Sequence, residues 1–264
     1  MFARINDIDV YYEIHGTEGP WLTFSHSLAA HSGMWAPQVE AFSHRFRVLN
    51  YDTRGHGKTT ATDSAYSLDQ LADDLKGLLD HLDIQQTHYC GLSMGGMIGQ
   101  TFALEYPGRL QSLVLADTTS RYEPETKALW DARVAAARSG GMAALVAPTL
   151  GRWFTEPFHK DPAAASTLER VGTMIRDTPL AGYAGCCAAL PTINVTHRLH
   201  EITVPILVLC GAHDHASPVA MASQIVAHAR DGELEVIEEA AHISNLEQPQ
   251  IFNRELTRFF DRVC

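Results

Sequence analysis

The chain reads as an α/β fold with a doubly wound, mostly parallel sheet, and three observations predict it. Short apolar runs recur along the sequence with helical patterns between them, the alternation that parallel strands and crossover helices produce. Several runs are continuously apolar rather than alternating, which suits strands covered on both faces. Between a strand-like run at 87–90 and a helix-like run at 97–106 stands Gly91-Leu92-Ser93-Met94-Gly95. A GxSxG turn in that setting raises a serine above the carboxyl edge of such a sheet.

The first strand-like run spans residues 8–14, and 21–24 and 47–51 follow. Ser67 then opens a helix. Gln70 makes a capping-box pattern with it, and Leu68, Leu71, Leu75, Leu78, Leu79 and Leu82 fall on one apolar stripe, the spacing that buries a single helix face. After the serine turn and its helix comes a strand at 113–116. From about 120 to 199 the alternation stops. Helical segments such as 128–138 and 167–175 replace it, punctuated by Gly140, Gly141, Pro148, Pro157, Pro162 and Pro179. Strands resume at 206–210 and 234–237, with helical runs at 221–229 and 249–260. The expected division is a core of residues 1–119 and 200–264 and an inserted helical cap, 120–199, where lids and specificity elements sit.

At 264 residues and 45% hydrophobic composition, the chain can bury one large α/β core. A formal net charge of −11 argues against non-specific nucleic-acid binding and against docking on an anionic membrane. It also means that a site for an anion must supply its own cations. Cys90, Cys186, Cys187, Cys210 and Cys264 are odd in number and lack metal-ligand spacing, which fits free thiols in a reducing compartment. The N-terminal residues lack a basic segment followed by an apolar one, and no apolar run approaches the ~20 residues that cross a bilayer. The expectation is a cytoplasmic protein.

A serine hydroxyl needs a general base within hydrogen-bond reach, itself oriented by a carboxylate. Behind a GxSxG elbow the chain order is Ser, then Asp or Glu, then His. Of the 14 histidines, His242 follows the 234–237 run in a short loop and is the expected base. His197 and His200 leave the cap, and His228 lies within a helical run. The acid is Asp214, after 206–210, with Asp117, after 113–116, as the alternative; each stands at the carboxyl end of a strand. Asp214 is preferred because the next strand delivers His242 beside it, and Asp117 would otherwise cap the first turn of the insertion. His213-Asp214-His215 invites a zinc reading, but adjacent residues rarely converge on one tetrahedral ion, and no metal is expected. For the oxyanion, the N–H of Met94 is one donor; the loop Ser25-His26-Ser27-Leu28 supplies the other, from Leu28 or, failing that, Ser27. Arg54, in Tyr51-Asp52-Thr53-Arg54-Gly55-His56-Gly57, reads as part of a structural turn.

On these motifs the chain resembles the α/β-hydrolase superfamily and, within it, the 3-oxoadipate enol-lactonase family. The likeness lies in segments 47–57, 90–100, 152–155, 182–187, 211–218 and 241–245; the catalytic motifs among them are superfamily-wide, and the cap segments 152–155 and 182–187 are the narrower signal. The resemblance implies an α/β-hydrolase fold with a helical cap inserted after the sixth strand. It also implies cofactor-free opening of a carboxylated lactone through an acyl-enzyme on Ser93. The early loop departs from the family pattern at His26, where asparagine is expected, and at Ala29, where glycine is expected. A carboxylated substrate needs pairing inside a cleft; the cap cations near aromatic residues are Arg133 and Arg152, beside Trp130 and Trp153. The partner expected is a small lactone or ester. Alternative readings are a carboxylesterase or lactonase for neutral substrates, a carbon–carbon hydrolase, and a non-catalytic ligand receptor on the same fold. A haloalkane dehalogenase would want a carboxylate in place of Ser93.

Overall fold

In the computed structural model, which describes residues 1–264, eight strands form one sheet. They are β1 (Phe2–Ile5), β2 (Ile8–His15), β3 (Trp21–Ser25), β4 (Arg47–Tyr51), β5 (Thr87–Leu92), β6 (Leu110–Ala116), β7 (Ile206–Gly211) and β8 (Gly232–Ile237). Their order is β1-β2-β4-β3-β5-β6-β7-β8, antiparallel across β1–β2 and β2–β4 and parallel from there on. Every residue of β5 and β7 is buried, as a strand with helices on both faces must be. The addition to the sequence reading is β1. Its four residues alternate exposed and buried, too short a pattern to register alone. Asn6 and Asp7, with φ of 44° and 64°, make the two-residue turn whose positive φ values match strand twist. With β1 counted, the strand before the helical insertion is the sixth.

The helices are α1 (Ala36–Phe42), α2 (Leu68–His81), α3 (Met94–Glu105), α4 (Thr126–Gly140), α5 (Val146–Trp153), α6 (Glu156–Lys160), α7 (Ala165–Asp177), α8 (Leu180–Ala189), α9 (Val219–His228), α10 (Ser244–Glu247) and α11 (Pro249–Val263). In α2, Ser67 Oγ accepts the Gln70 N–H at 3.0 Å; the return bond of a full capping box is not made. Leu68, Leu71, Leu75, Leu78 and Leu79 are buried, each contributing about 1.5–3 kcal/mol, while Leu82 falls at the helix end and is half-buried.

Helices α4 to α8 fill the stretch between β6 and β7. Its two ends are tied together where the Tyr122 N–H donates to Ile193 O and the Val195 N–H to Ser120 O. A second tie lies at α8. The Tyr66 N–H donates to Gly185 O, and a β-carbon on Gly182 would sit 1.9 Å from Gly55 O. Only glycine lets these two backbones approach so closely.

Candidate active site

Ser93 joins β5 to α3 with φ 55° and ψ −111°, a conformation that persists only where the surroundings enforce it. They do so through the backbone. The Ser93 N–H donates to Ala116 O at 2.8 Å, and Thr118 Oγ1–H donates to Ser93 O at 2.7 Å. The flanking glycines are sterically required, since a β-carbon on Gly91 would lie 2.2 Å from Gly95 O and one on Gly95 2.1 Å from Ser25 O.

His242 Nε2 accepts from Ser93 Oγ at 2.9 Å, and its Nδ1–H donates to Asp214 Oδ2 at 2.8 Å. The imidazole is buried, and each side of its loop is anchored. The Ala241 N–H donates to Glu247 Oε2 at 2.8 Å, and the Ile243 N–H to Trp153 O at 3.2 Å. Burial opposes charging of His242, but the charge and hydrogen bond of Asp214 outweigh it, so the ring's pKa lies above its ordinary value. Burial works against ionisation of Asp214 as well, and there too the interaction with His242 prevails, holding the carboxyl below the ordinary range. Asp214 Oδ1 accepts from the N–H groups of Ala216 and Ser217 at 2.7 and 3.0 Å, and Ser217 Oγ donates to Oδ2 at 2.8 Å.

Asp117 does not reach the imidazole by a hydrogen bond, nor does it cap the insertion. Its Oδ1 accepts the Gly211 N–H at 2.9 Å, and its Oδ2 accepts from Ser244 N–H and Oγ at 3.2 and 2.6 Å. It therefore braces the end of β7, which leads to Asp214, against the loop that carries His242. Burial, followed by repulsion from Asp214, pushes its carboxyl up to about 7. Asp117, Cys210 and Asp214 place donor atoms within 4.8 Å of one another. The hydrogen bonds just described occupy both carboxylates, and burial holds the thiol well above its usual range, so this trio is a poor metal cage. Arg54 is remote in role, gripping Asp74 of α2 at 2.7 and 2.8 Å.

Ser93 and His242 face a cavity of about 390 Å³ whose walls include Ser27, Leu28, Trp130, Arg133, Arg152 and Trp153. All four of the expected cap residues thus reach the serine's cavity. Arg133 lies over the Trp130 ring at 4.7 Å, and the one side-chain hydrogen bond of Arg152 goes to Thr149 Oγ1 at 3.1 Å. Neither guanidinium meets a protein carboxylate. Burial, then repulsion by Arg133, lowers the pKa of Arg152. Leu28 N–H has no protein acceptor, whereas the fallback donor, Ser27 N–H, is directed at Met34 Sδ at 3.3 Å. Met94 opens α3, where no earlier turn offers its N–H a partner. A larger groove, about 800 Å³, lies between α4 and α8 but does not contain Ser93.

Sequence reasoning missed Tyr122, Ile175 and Tyr183 on the cavity wall, the Ser217 support for Asp214, and Glu247. His215 also lines the cavity. Tyr183, His215 and Ser217 lay within segments already singled out for likeness; nothing local marked the rest.

The α/β-hydrolase fold family matches residues 20–249. The chain belongs to that family. This α/β hydrolase is 38% identical to 3-oxoadipate enol-lactonase 2 of Acinetobacter baylyi, over 94% of this chain and 91% of the relative. Its fold superposes on the enol-lactonase of Burkholderia xenovorans with a TM-score of 0.94 at 35% identity, covering 99% of this chain and 100% of the other. A malate-bound thermophilic esterase of Thermogutta terrifontis gives a TM-score of 0.91 at 28% identity, with 97% and 94% covered.

Proposed function

We propose that this hydrolase opens a carboxylated lactone, 3-oxoadipate enol-lactone, through an acyl-enzyme on Ser93, with residues 120–199 acting as the cap that selects the substrate. The observation that carries the reading is the pair of arginines, Arg133 and Arg152, which line the cavity of Ser93 and His242 without a protein anion. An unpaired guanidinium half-removed from water is stabilised by an incoming carboxylate, and the relative named 3-oxoadipate enol-lactonase 2 suggests the particular lactone.

In this reading His242 Nε2 takes the Ser93 proton as Oγ attacks the lactone carbonyl, and Asp214 stabilises the resulting imidazolium. The N–H groups of Leu28 and Met94 receive the oxyanion. Collapse breaks the ring C–O bond, and His242 returns its proton to the enol oxygen. That oxygen stays tethered to the acyl chain, but tautomerisation to the ketone removes the group that could close the ring again. Water, deprotonated by His242, then attacks the acyl carbon and Ser93 leaves with the proton. Each step uses these side chains, the two backbone N–H groups and water.

The test compares specificity constants for the carboxylated enol-lactone, its methyl ester and a neutral lactone of similar size. The anionic substrate should be preferred. A charge-assisted contact is worth about 1.5–3 kcal/mol, so Arg133→Ala or Arg152→Ala should cost at least about tenfold on it and little on the neutral pair. Equal rates on all three, unchanged in both variants, would make this a general esterase or lactonase. Turnover surviving in folded Ser93→Ala would remove the serine mechanism itself.

A further inference from the structure

The loop after β3 is held in a way that the triad and the arginines do not explain. Three of its amides are occupied: Ser27 N–H by Met34 Sδ, Ala29 N–H by His56 Nε2 at 3.1 Å, and Ala30 N–H by Ser27 O at 3.2 Å. Leu28, between them, keeps its N–H unpaired on the wall of the Ser93 cavity. Ala29 has φ of 60°, a left-handed conformation that a side chain disfavours, so an external restraint is needed to keep it there.

His56 is placed to be that restraint. It is fully buried, and its Nδ1–H donates to Arg54 O at 3.2 Å, which leaves Nε2 as an acceptor for Ala29. His26 is bound in the same sense: its Nδ1–H donates to Ser27 O at 2.8 Å, and its Nε2 accepts from Thr53 N–H and Oγ1, each at 2.9 Å. The two rings lie 5.3 Å apart. Burial drives both imidazoles to a pKa of about 3, which keeps the acceptor nitrogens unprotonated. The Tyr51-to-Gly57 turn and the early loop, two sequence motifs that the triad leaves unused, are thereby joined.

We propose that His56 is a positioning residue for the oxyanion hole: by accepting the Ala29 N–H it holds the left-handed turn that leaves Leu28 N–H free for the oxyanion, while His26 anchors the base of the same loop to Thr53. The inference rests on the Ser93 reading above. It extends that reading from the donors to the groups that aim them.

His56→Leu removes the acceptor, His56→Gln restores an amide oxygen near the Nε2 position, and His56→Asn keeps an amide too short to reach. Steady-state kinetics on p-nitrophenyl acetate and inhibition by phenylboronic acid, whose Ser93 adduct places an oxygen in the hole, are the readouts. Loss of an oxyanion donor costs about 10²–10³ in kcat, so His56→Leu and His56→Asn should lose at least about tenfold in kcat, with KM within about threefold and boronate affinity falling in parallel. His56→Gln should regain most of both. Unchanged kcat in folded His56→Leu overturns the proposal. If that variant does not fold, equal kcat in the Gln and Asn variants overturns it. Ser93→Ala run beside them separates the cases, because turnover there sinks the serine reading rather than the role of His56.

Discussion

The carboxylate that touches His242 and the one beneath it differ in what they accept. Asp214 Oδ2 receives the imidazole Nδ1–H, whereas both oxygens of Asp117 are taken by Gly211 and Ser244. An amide at 214 presents either a donor where an acceptor is required or a much weaker acceptor, and the imidazole then turns its proton toward Ser93. Asp214→Asn is expected to lower kcat by about 10⁴-fold. Asp117→Asn should lose far less, because it disturbs a brace rather than the imidazole tautomer. The comparison belongs at temperatures where both variants are equally folded, and a reversed ranking would transfer the acid role to Asp117. At Ala29 the left-handed backbone costs about 1–2 kcal/mol relative to glycine, a local expense that the hydrogen bond from Ala29 N–H to His56 offsets.

Among the elements, the helical insertion is seated by a close backbone approach and by a carboxylate contact as well as by its apolar face. Helix α8 meets the turn after β4 where Gly182 and Gly55 pass, and Glu247 of α10 accepts the Thr155 N–H at 2.9 Å between α5 and α6. Because the atom opposing Gly182 is a backbone oxygen, no side chain can move aside. Gly182→Ala should displace α8 and cost about 1–3 kcal/mol, as overpacked sites do, with a fall in kcat/KM as Tyr183 shifts in the cavity wall. Gly151→Ala is the matched control: nothing lies within 4 Å of its added carbon, and alanine inside a helix should stabilise by up to about 1 kcal/mol. Thermal unfolding of the two variants measures both effects, and equal midpoints would show that α8 can settle elsewhere.

For the whole molecule, buried titratable groups set the pH window of stability. The unfolded chain protonates its histidines near 6.5, whereas folded His26 and His56 resist protonation until about 3 because burial disfavours the cation. Their stabilisation is complete above about 6.5 and is lost progressively as pH falls toward about 3. Asp117 has the opposite sign: its folded pKa of about 7 means that its contribution is present below the unfolded value and is lost as pH rises through 7. Two imidazoles outweigh one carboxyl over this window, so the thermal midpoint should fall as pH drops from about 6.5 to about 5, before most carboxylates titrate. That slope should be shallower in a His26→Gln, His56→Gln double variant, and parallel profiles would show that other groups set it.

What the sequence determined by itself was whatever short-range pattern encodes. Continuous apolar runs marked the buried strands because both faces of a central strand must be apolar. Glycines at 91 and 95 marked the elbow because the steric demand acts across two residues on either side, and the short loop after a strand marked His242. The edge strand β1 escaped because four residues at a sheet margin need little apolar signal, although Asn6-Asp7 held its turn. The tertiary structure decided which of two strand-end acids touches the imidazole, since Asp117 and Asp214 have the same local signature and differ in where Gly211 and Ser244 fall. It also decided that Leu28 rather than Ser27 keeps a free amide, because the competing acceptors, Met34 Sδ and His56 Nε2, come from other parts of the chain. Arg133 and Arg152 stand on separate helices, and their meeting in one cavity depends on how α4 and α5 pack over Ser93, a long-range contact that no local spacing records.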